Sequence, residues 1–115
     1  MSKPLRDGEY LTHICDAVER IHRYTAGKSE VDFMADELLR DGVIRNLEII
    51  GEAVGRISPE LKSRHEDIPW REISGMRNRL IHGYMDVNFE MVWDTVATIL
   101  PDFLSRIKNI QKTSL

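Results

Sequence analysis

Hydrophobic residues recur at helical spacing along almost the whole chain. From Pro4 to about Thr25, the residues Leu11, Ile14, Cys15, Val18 and Ile21 follow the i, i+3, i+4, i+7 rule of an amphipathic helix. His13 falls off that stripe, on the solvent side, and His22 sits near its edge. Ala26-Gly27-Lys28 supplies a turn. Ser29, with Asp32 three residues on, then gives a capping-box start to a short helix, Glu30 to Ala35. Asp36 caps the longest helix, which runs to about Ile57 and carries Val43, Ile44, Leu47, Ile50, Gly51, Val54 and Ile57 on one broad face, with Glu48 at its edge. Gly42, Gly51 and Gly55 each weaken that helix by about 1 kcal/mol relative to Ala, so three of them together point to close approach by another helix. Ser58-Pro59 opens a short helix to about Arg64, and residues 65–68 link it to the next element. Asn88 caps a final helix whose stripe extends from Phe89 through Val92, Trp93, Val96, Leu100 and Phe103 to Ile107, with a kink expected at Pro101. Strand-like alternation, internal repeats and low-complexity tracts are absent. The pattern predicts an all-α fold, an up-down bundle of four main helices plus short helices, in a single domain over residues 1–115.

The segment from Pro69 to Phe89 stands out. Pro69 opens a helix in its first turn, where a missing N–H costs nothing. At about 100° per residue, Trp70, Ile73, Met76, Leu80 and Ile81 share one stripe, and Arg77 falls inside it. Asn78, Arg79 and His82 fall outside. A guanidinium on a buried face keeps its charge, so it must find an acidic partner or line a wet cleft. Gly83 lets the chain leave the helix, and Tyr84 follows two residues after His82.

Composition changes this picture little. The balance of 42% hydrophobic and 30% charged residues is that of an ordinary globular domain, and the net charge of −3 gives no global attraction to nucleic acid. Charge is uneven, however: Arg56 to His82 holds six Lys/Arg against four Asp/Glu, which leaves room for a local basic patch. The single Cys15 excludes an intrachain disulfide and reads as a small core residue rather than a nucleophile. With no apolar run near the ~20 residues of a membrane span and no signal-peptide pattern, the expectation is a cytoplasmic protein without membrane contact.

Arg77-x4-His82-x-Tyr84 resembles the R-x4-H-x-Y motif of HepT-like toxins, a branch of the HEPN superfamily of small helical ribonucleases. Ile44 to Ala53 (IRNLEIIGEA) and the Pro69-Trp70 pair are similar to the same family, and the resemblance extends from about Leu5 to Ile110. It implies a helical homodimer in which two motif helices face each other across a two-fold axis and form one RNA cleft. It further implies the toxin of a type VII toxin–antitoxin pair. Its partner would be a minimal nucleotidyltransferase antitoxin that transfers AMP to the motif tyrosine, here Tyr84. HEPN domains also occur as non-catalytic subunits that bind a nucleotidyltransferase and help position its substrate, which is the alternative.

The residues themselves suit metal-free RNA cleavage. The histidines are scattered, and no H-x-x-E or C-x-x-C spacing marks a metal site. Neither cofactor nor metal is expected. Histidine, with an ordinary pKa near about 6.5, serves as acid or base at neutral pH, and arginine's planar fork matches phosphate oxygens. His82 is thus the candidate general acid/base and Arg77 the candidate phosphate-stabilising group, with Asn78 in support and Glu48 expected to orient Arg77. Taken alone, Arg77 also fits a structural ion pair with Glu48 or Glu52, His82 a helix C-cap, and Tyr84 a packed ring with a wet hydroxyl. Five helical residues separate positions 77 and 82 by about 140°. Either the helix breaks near Ile81, or the site is completed across a dimer interface.

Overall fold

The structure is a computed structural model that describes residues 3–82 and 87–114. Among these residues the chain is all helical: α1 (Lys3–Thr25), α2 (Glu30–Ala35), α3 (Glu37–Arg56), α4 (Pro59–Arg64), α5 (Trp70–His82), α6 (Phe89–Asp94), a π-helical turn (Thr95–Ile99) and α7 (Leu100–Ser114). Among the described residues, no helix is long and apolar enough to cross a membrane.

The helix starts are where side-chain acceptors put them. Ser29 accepts from the Asp32 amide while the Asp32 carboxylate accepts from the Ser29 amide, a complete capping box. Asp36, Ser58 and Asn88 accept from the amides of Leu39, Leu61 and Met91 at 3.0, 3.2 and 3.1 Å. Gly27, at φ 73°, makes the turn after α1, and the Lys28 amide bonds back to the Thr25 carbonyl.

The four main helices enclose one core. Leu11, Ile14, Val18 and Ile21 of α1 meet Val43, Leu47, Ile50 and Val54 of α3, with Leu100, Phe103 and Ile107 closing from α7. Helix α3 occupies the middle, packing on α1 along one side and on α5 along the other. Cys15 is buried in this core. Burial, reinforced by the nearby Glu19 carboxylate, pushes its thiol up to about 11, which leaves it no thiolate character at neutral pH.

Polar residues also enter the interior, each with its partners. The buried carboxylate of Asp7 accepts from both the amide and the hydroxyl of Ser58, at 2.9 and 2.6 Å, joining α1 to the α3–α4 corner. Asn46 donates to the Gly42 carbonyl and accepts from Arg20 Nε, both at 2.8 Å, joining α1 to α3. Neither tie follows from a hydrophobic pattern.

The final helix differs from the single kinked helix expected. Its disturbance lies in the turn before Pro101, where the Leu100 amide bonds to the Thr95 carbonyl, an i→i−5 spacing. Proline lacks the N–H that would bond Ala97 and its ring crowds that carbonyl, so the widened turn accommodates it.

The glycines of α3 divide by neighbour. An added Cβ at Gly42 would stand 3.4 Å from the Tyr24 ring of α1, whereas Gly51 faces α5, where an added Cβ would stand 2.4 Å from the Arg77 Cβ. At Gly55 the nearest atom would be Ser74 Oγ at 3.7 Å, an ordinary contact. Two substitutions should therefore act with opposite sign. Gly51→Ala should destabilise by about 1–3 kcal/mol, outweighing its gain in helix propensity, whereas Gly55→Ala should raise the melting temperature. Thermal denaturation followed by circular dichroism checks both. A Gly51→Ala protein as stable as the parent would mean that α3 and α5 do not meet at residue 51.

Candidate functional site

Helix α5 is positioned from its start. The Trp70 indole donates to the His65 carbonyl at 3.0 Å, and the Trp70 and Ile73 amides bond the Ile68 and Pro69 carbonyls. Trp70, Ile73, Met76 and Leu80 are all buried, as their stripe requires, while Asn78 and Arg79 are exposed. Arg106 of α7 reaches the linker before α5, contacting Asp67 while also bonding Asp102 of its own helix at 2.7 Å. The linker is thereby held at both ends.

Arg77 stands where α5 crosses α3. Its Cβ occupies the space that the missing side chain of Gly51 leaves open. The guanidinium reaches the next residue of α3: Arg77 Nη2 lies 3.8 Å from Glu52 Oε1, and the other Glu52 oxygen takes Arg56 Nη2 at 3.4 Å. Glu52 thus faces two cations. With the Arg77 and Glu52 side chains 34% and 52% exposed, this contact contributes at most about 1 kcal/mol. It is also longer than a hydrogen bond. Arg77 Nε is buried and has no hydrogen-bond partner. The stem is therefore fixed by packing while the fork is left open.

Glu48 is not the carboxylate that Arg77 meets in the structure. It pairs with Arg45 one turn earlier in its own helix, at 3.7 Å. The cause is the crossing point: Gly51 seats the arginine stem, and the carboxylate within reach from that seat is the one on residue 52, a turn beyond Glu48. Glu52 was legible only as one of two alternatives, because helical periodicity does not give the height at which two helices cross. Asn78, adjacent in sequence, faces another way. It lines an open groove of about 750 Å³ between α4 and α5, while Arg77 turns to α3. A smaller groove of about 340 Å³ lies on the other side of α3, where Glu52 and Arg56 meet Tyr10 and His13 of α1. His13 is exposed there, with its ring edge-on to Tyr10.

The helical backbone of α5 continues through His82 without a break at Ile81. Positions 77 and 82 are therefore separated by about 140° around one regular axis. The His82 side chain and Tyr84, the candidate acid/base and the candidate modification site, lie outside the described residues.

Comparison with known proteins covers nearly the same span as these elements. The family model described as "Ribonuclease HepT-like" matches residues 14–110. A protein of Caldanaerobacter subterraneus subsp. tengcongensis named "Putative RNase" is 40% identical over 101 residues, 88% of this chain and 90% of that protein. One of Thermococcus cleftensis named "Probable ribonuclease HepT" is 38% identical over 104 residues, 90% of this chain and 94% of the relative. No solved structure matches the chain. The matched span runs from Ile14 in α1 to Ile110 in α7 and includes the whole of α3 and α5 with the Gly51–Arg77 crossing, and on this ground the chain belongs to the HepT-like ribonuclease family.

Proposed function

We propose that the chain is a metal-independent endoribonuclease that works as a homodimer, with Arg77 and His82 as its reacting groups. The observation that carries this reading is the state of Arg77. Its stem is packed against Gly51, yet its Nε has no partner and its nearest carboxylate, that of Glu52, is beyond hydrogen-bond distance. A guanidinium desolvated in part and left with free donors is prepared for an anion with matching oxygens, as a phosphodiester has. The 140° between positions 77 and 82 supports a cleft shared by two protomers, since one regular helix does not direct both at a single atom. Family membership supports RNA as the substrate.

In such a cleft, neutral His82 takes the proton of a ribose 2′-OH, and the 2′-oxygen attacks the adjacent phosphorus. The bond to the 5′-oxygen breaks, and that oxygen receives a proton from an imidazolium, for which a two-fold axis supplies a second His82. Arg77 carries the charge that grows on the non-bridging oxygens. The products are a 2′,3′-cyclic phosphate and a 5′-hydroxyl end. The same reading makes the chain a toxin neutralised by a minimal nucleotidyltransferase, which adds AMP to Tyr84. Each added AMP brings a bulky base and about one negative charge beside Arg77, opposing the docking of RNA phosphate.

Three outcomes are expected. Sedimentation at micromolar concentration should show a dimer; a monomer at every concentration removes the shared cleft. Cleavage should persist in EDTA and leave cyclic or 3′-phosphate ends, and His82→Ala should lower the rate at least ~10²-fold in a folded protein. Ends bearing 3′-OH, or full activity in that variant, contradict the mechanism. Failure of the unmodified native protein to cut any RNA while still binding its nucleotidyltransferase would favour the non-catalytic subunit instead. Finally, Tyr84→Phe should keep nuclease activity and escape the partner. Intact mass after co-expression decides this, because AMP-sized increments that persist in the Phe variant place the acceptor elsewhere.

A further inference from the structure

The groove between α4 and α5 is not used by the reaction just described, although α5 is one of its walls. Lys62 and Ser63 line it from α4, and Arg71, Ser74, Gly75 and Asn78 from α5. Three of its features lack a structural explanation within the chain.

The first is its unpaired cations. No described residue forms an ion pair with Lys62 or Arg71; several other described cations of the chain are likewise unpaired, but Lys62 differs in being partly buried. Lys62 is half-buried, and burial lowers the pKa of its ammonium, opposed by the field of Asp7. That carboxylate is already committed to the amide and hydroxyl of Ser58. A partly desolvated ammonium without a counter-ion gains from an incoming anion.

The second is Gly75, in the middle of α5. Glycine is the poorest helix former after proline, and at Gly51 a close neighbour accounts for it. An added Cβ at Gly75 would meet nothing within 4 Å. Helix packing does not require this glycine. What it provides is a stretch of bare backbone where an extended ligand can lie close to the helix.

The third is that its apolar lining, Ile68 and Trp70, is buried and leaves no exposed apolar docking face. The large hydrophobic side chains exposed among the described residues are Tyr24, Val31, Leu38, Met91 and Ile99, none of them on α4 or α5. Hydroxyls, backbone and cations suit a polar anionic chain rather than the apolar core of a protein interface. From Arg71 to Asn78 the helix rises about 10 Å, room for a short length of strand rather than one isolated phosphate. The groove ends at Asn78, which adjoins Arg77 in sequence but lies about 100° around α5 from it.

We infer that this groove is a track for single-stranded RNA. Lys62 and Arg71 hold backbone phosphates, and Gly75 lets the strand lie close enough to pass over α5 toward Arg77. The inference rests on the nuclease reading and adds to it the path of the substrate. Glu66 and Glu72 also line the groove without pairing to its cations. They work against phosphate and limit affinity, so neutralising Glu72 should tighten binding.

The test uses the native full-length protein and a short fluorescein-labelled single-stranded RNA, 2′-O-methylated to resist cleavage. Affinity is read by anisotropy across a salt series. Lys62→Ala and Arg71→Ala should each weaken binding several-fold and reduce the slope of log K against log salt by about 0.7. Glu72→Gln should strengthen it, and Lys112→Ala, on α7, should leave it unchanged. Gly75→Ala is the sharpest variant: it should raise the melting temperature and still weaken RNA binding, with Gly75→Leu weakening it further. A merely structural glycine would give the stability gain and no change in affinity. With cleavable RNA, the groove variants should raise KM with kcat retained, whereas His82→Ala should lose kcat and keep binding. Native binding that is unaffected by the folded Lys62, Arg71 and Gly75 variants overturns the track and leaves the nuclease standing. Loss of kcat in His82→Ala with those variants silent likewise overturns the track alone, and no RNA binding by the native protein removes both.

Discussion

The crossing of α3 and α5 at Gly51 and Arg77 is the constraint on which the rest of the structure depends. Helix α3 is placed between two long neighbours, with α1 on one side and α5 on the other. A side chain at position 51 would force α5 away from it, because the space belongs to the Arg77 stem. The cost of glycine in a helix, about 1 kcal/mol, is offset by the burial of Ile73, Met76 and Leu80 that this approach allows. The same contact sets where the guanidinium emerges, beside Glu52 and not Glu48.

The remaining polar ties keep α5 at the correct height on that crossing. Asp7 holds Ser58, which caps α4; the linker that follows presents the His65 carbonyl to the Trp70 indole, and Arg106 secures Asp67 from α7. Together they fix the entrance of α5 from three sides, so that the arginine is presented by a rigid support instead of by a loop. Buried polar groups that are fully bonded specify one arrangement of helices, which apolar packing alone defines less sharply.

Charge is distributed along the same lines. The chain is net negative, with −3 overall, and among the described residues Arg45 and Arg56 of α3 and Arg106 and Lys108 of α7 meet carboxylates. Around α5 the cations are less well satisfied: Arg77 shares Glu52 with Arg56, and Lys62 and Arg71 have no ion-pair partner among the described residues. A weakly acidic protein can therefore present free positive charge locally, and screening over about 8–10 Å makes the local arrangement matter more than the total for a short-range contact.

The sequence by itself determined the elements and their ends. The 3.6-residue period of apolar positions gives the helices and their buried faces, and Ser29, Asp36, Ser58 and Asn88 give the starts, because a cap is a local hydrogen bond within three residues. Arg77 on a buried stripe was legible for the same reason, and the spacing Arg77-x4-His82-x-Tyr84 carried the family. The tertiary structure decided which carboxylate Arg77 meets, where the disturbance near Pro101 falls, that Asp7 and Asn46 are interior ties, and that Lys62 and Gly75 share a groove. These depend on the height and angle at which helices cross, and those follow from the fit of all the side chains at once rather than from the period of any one helix.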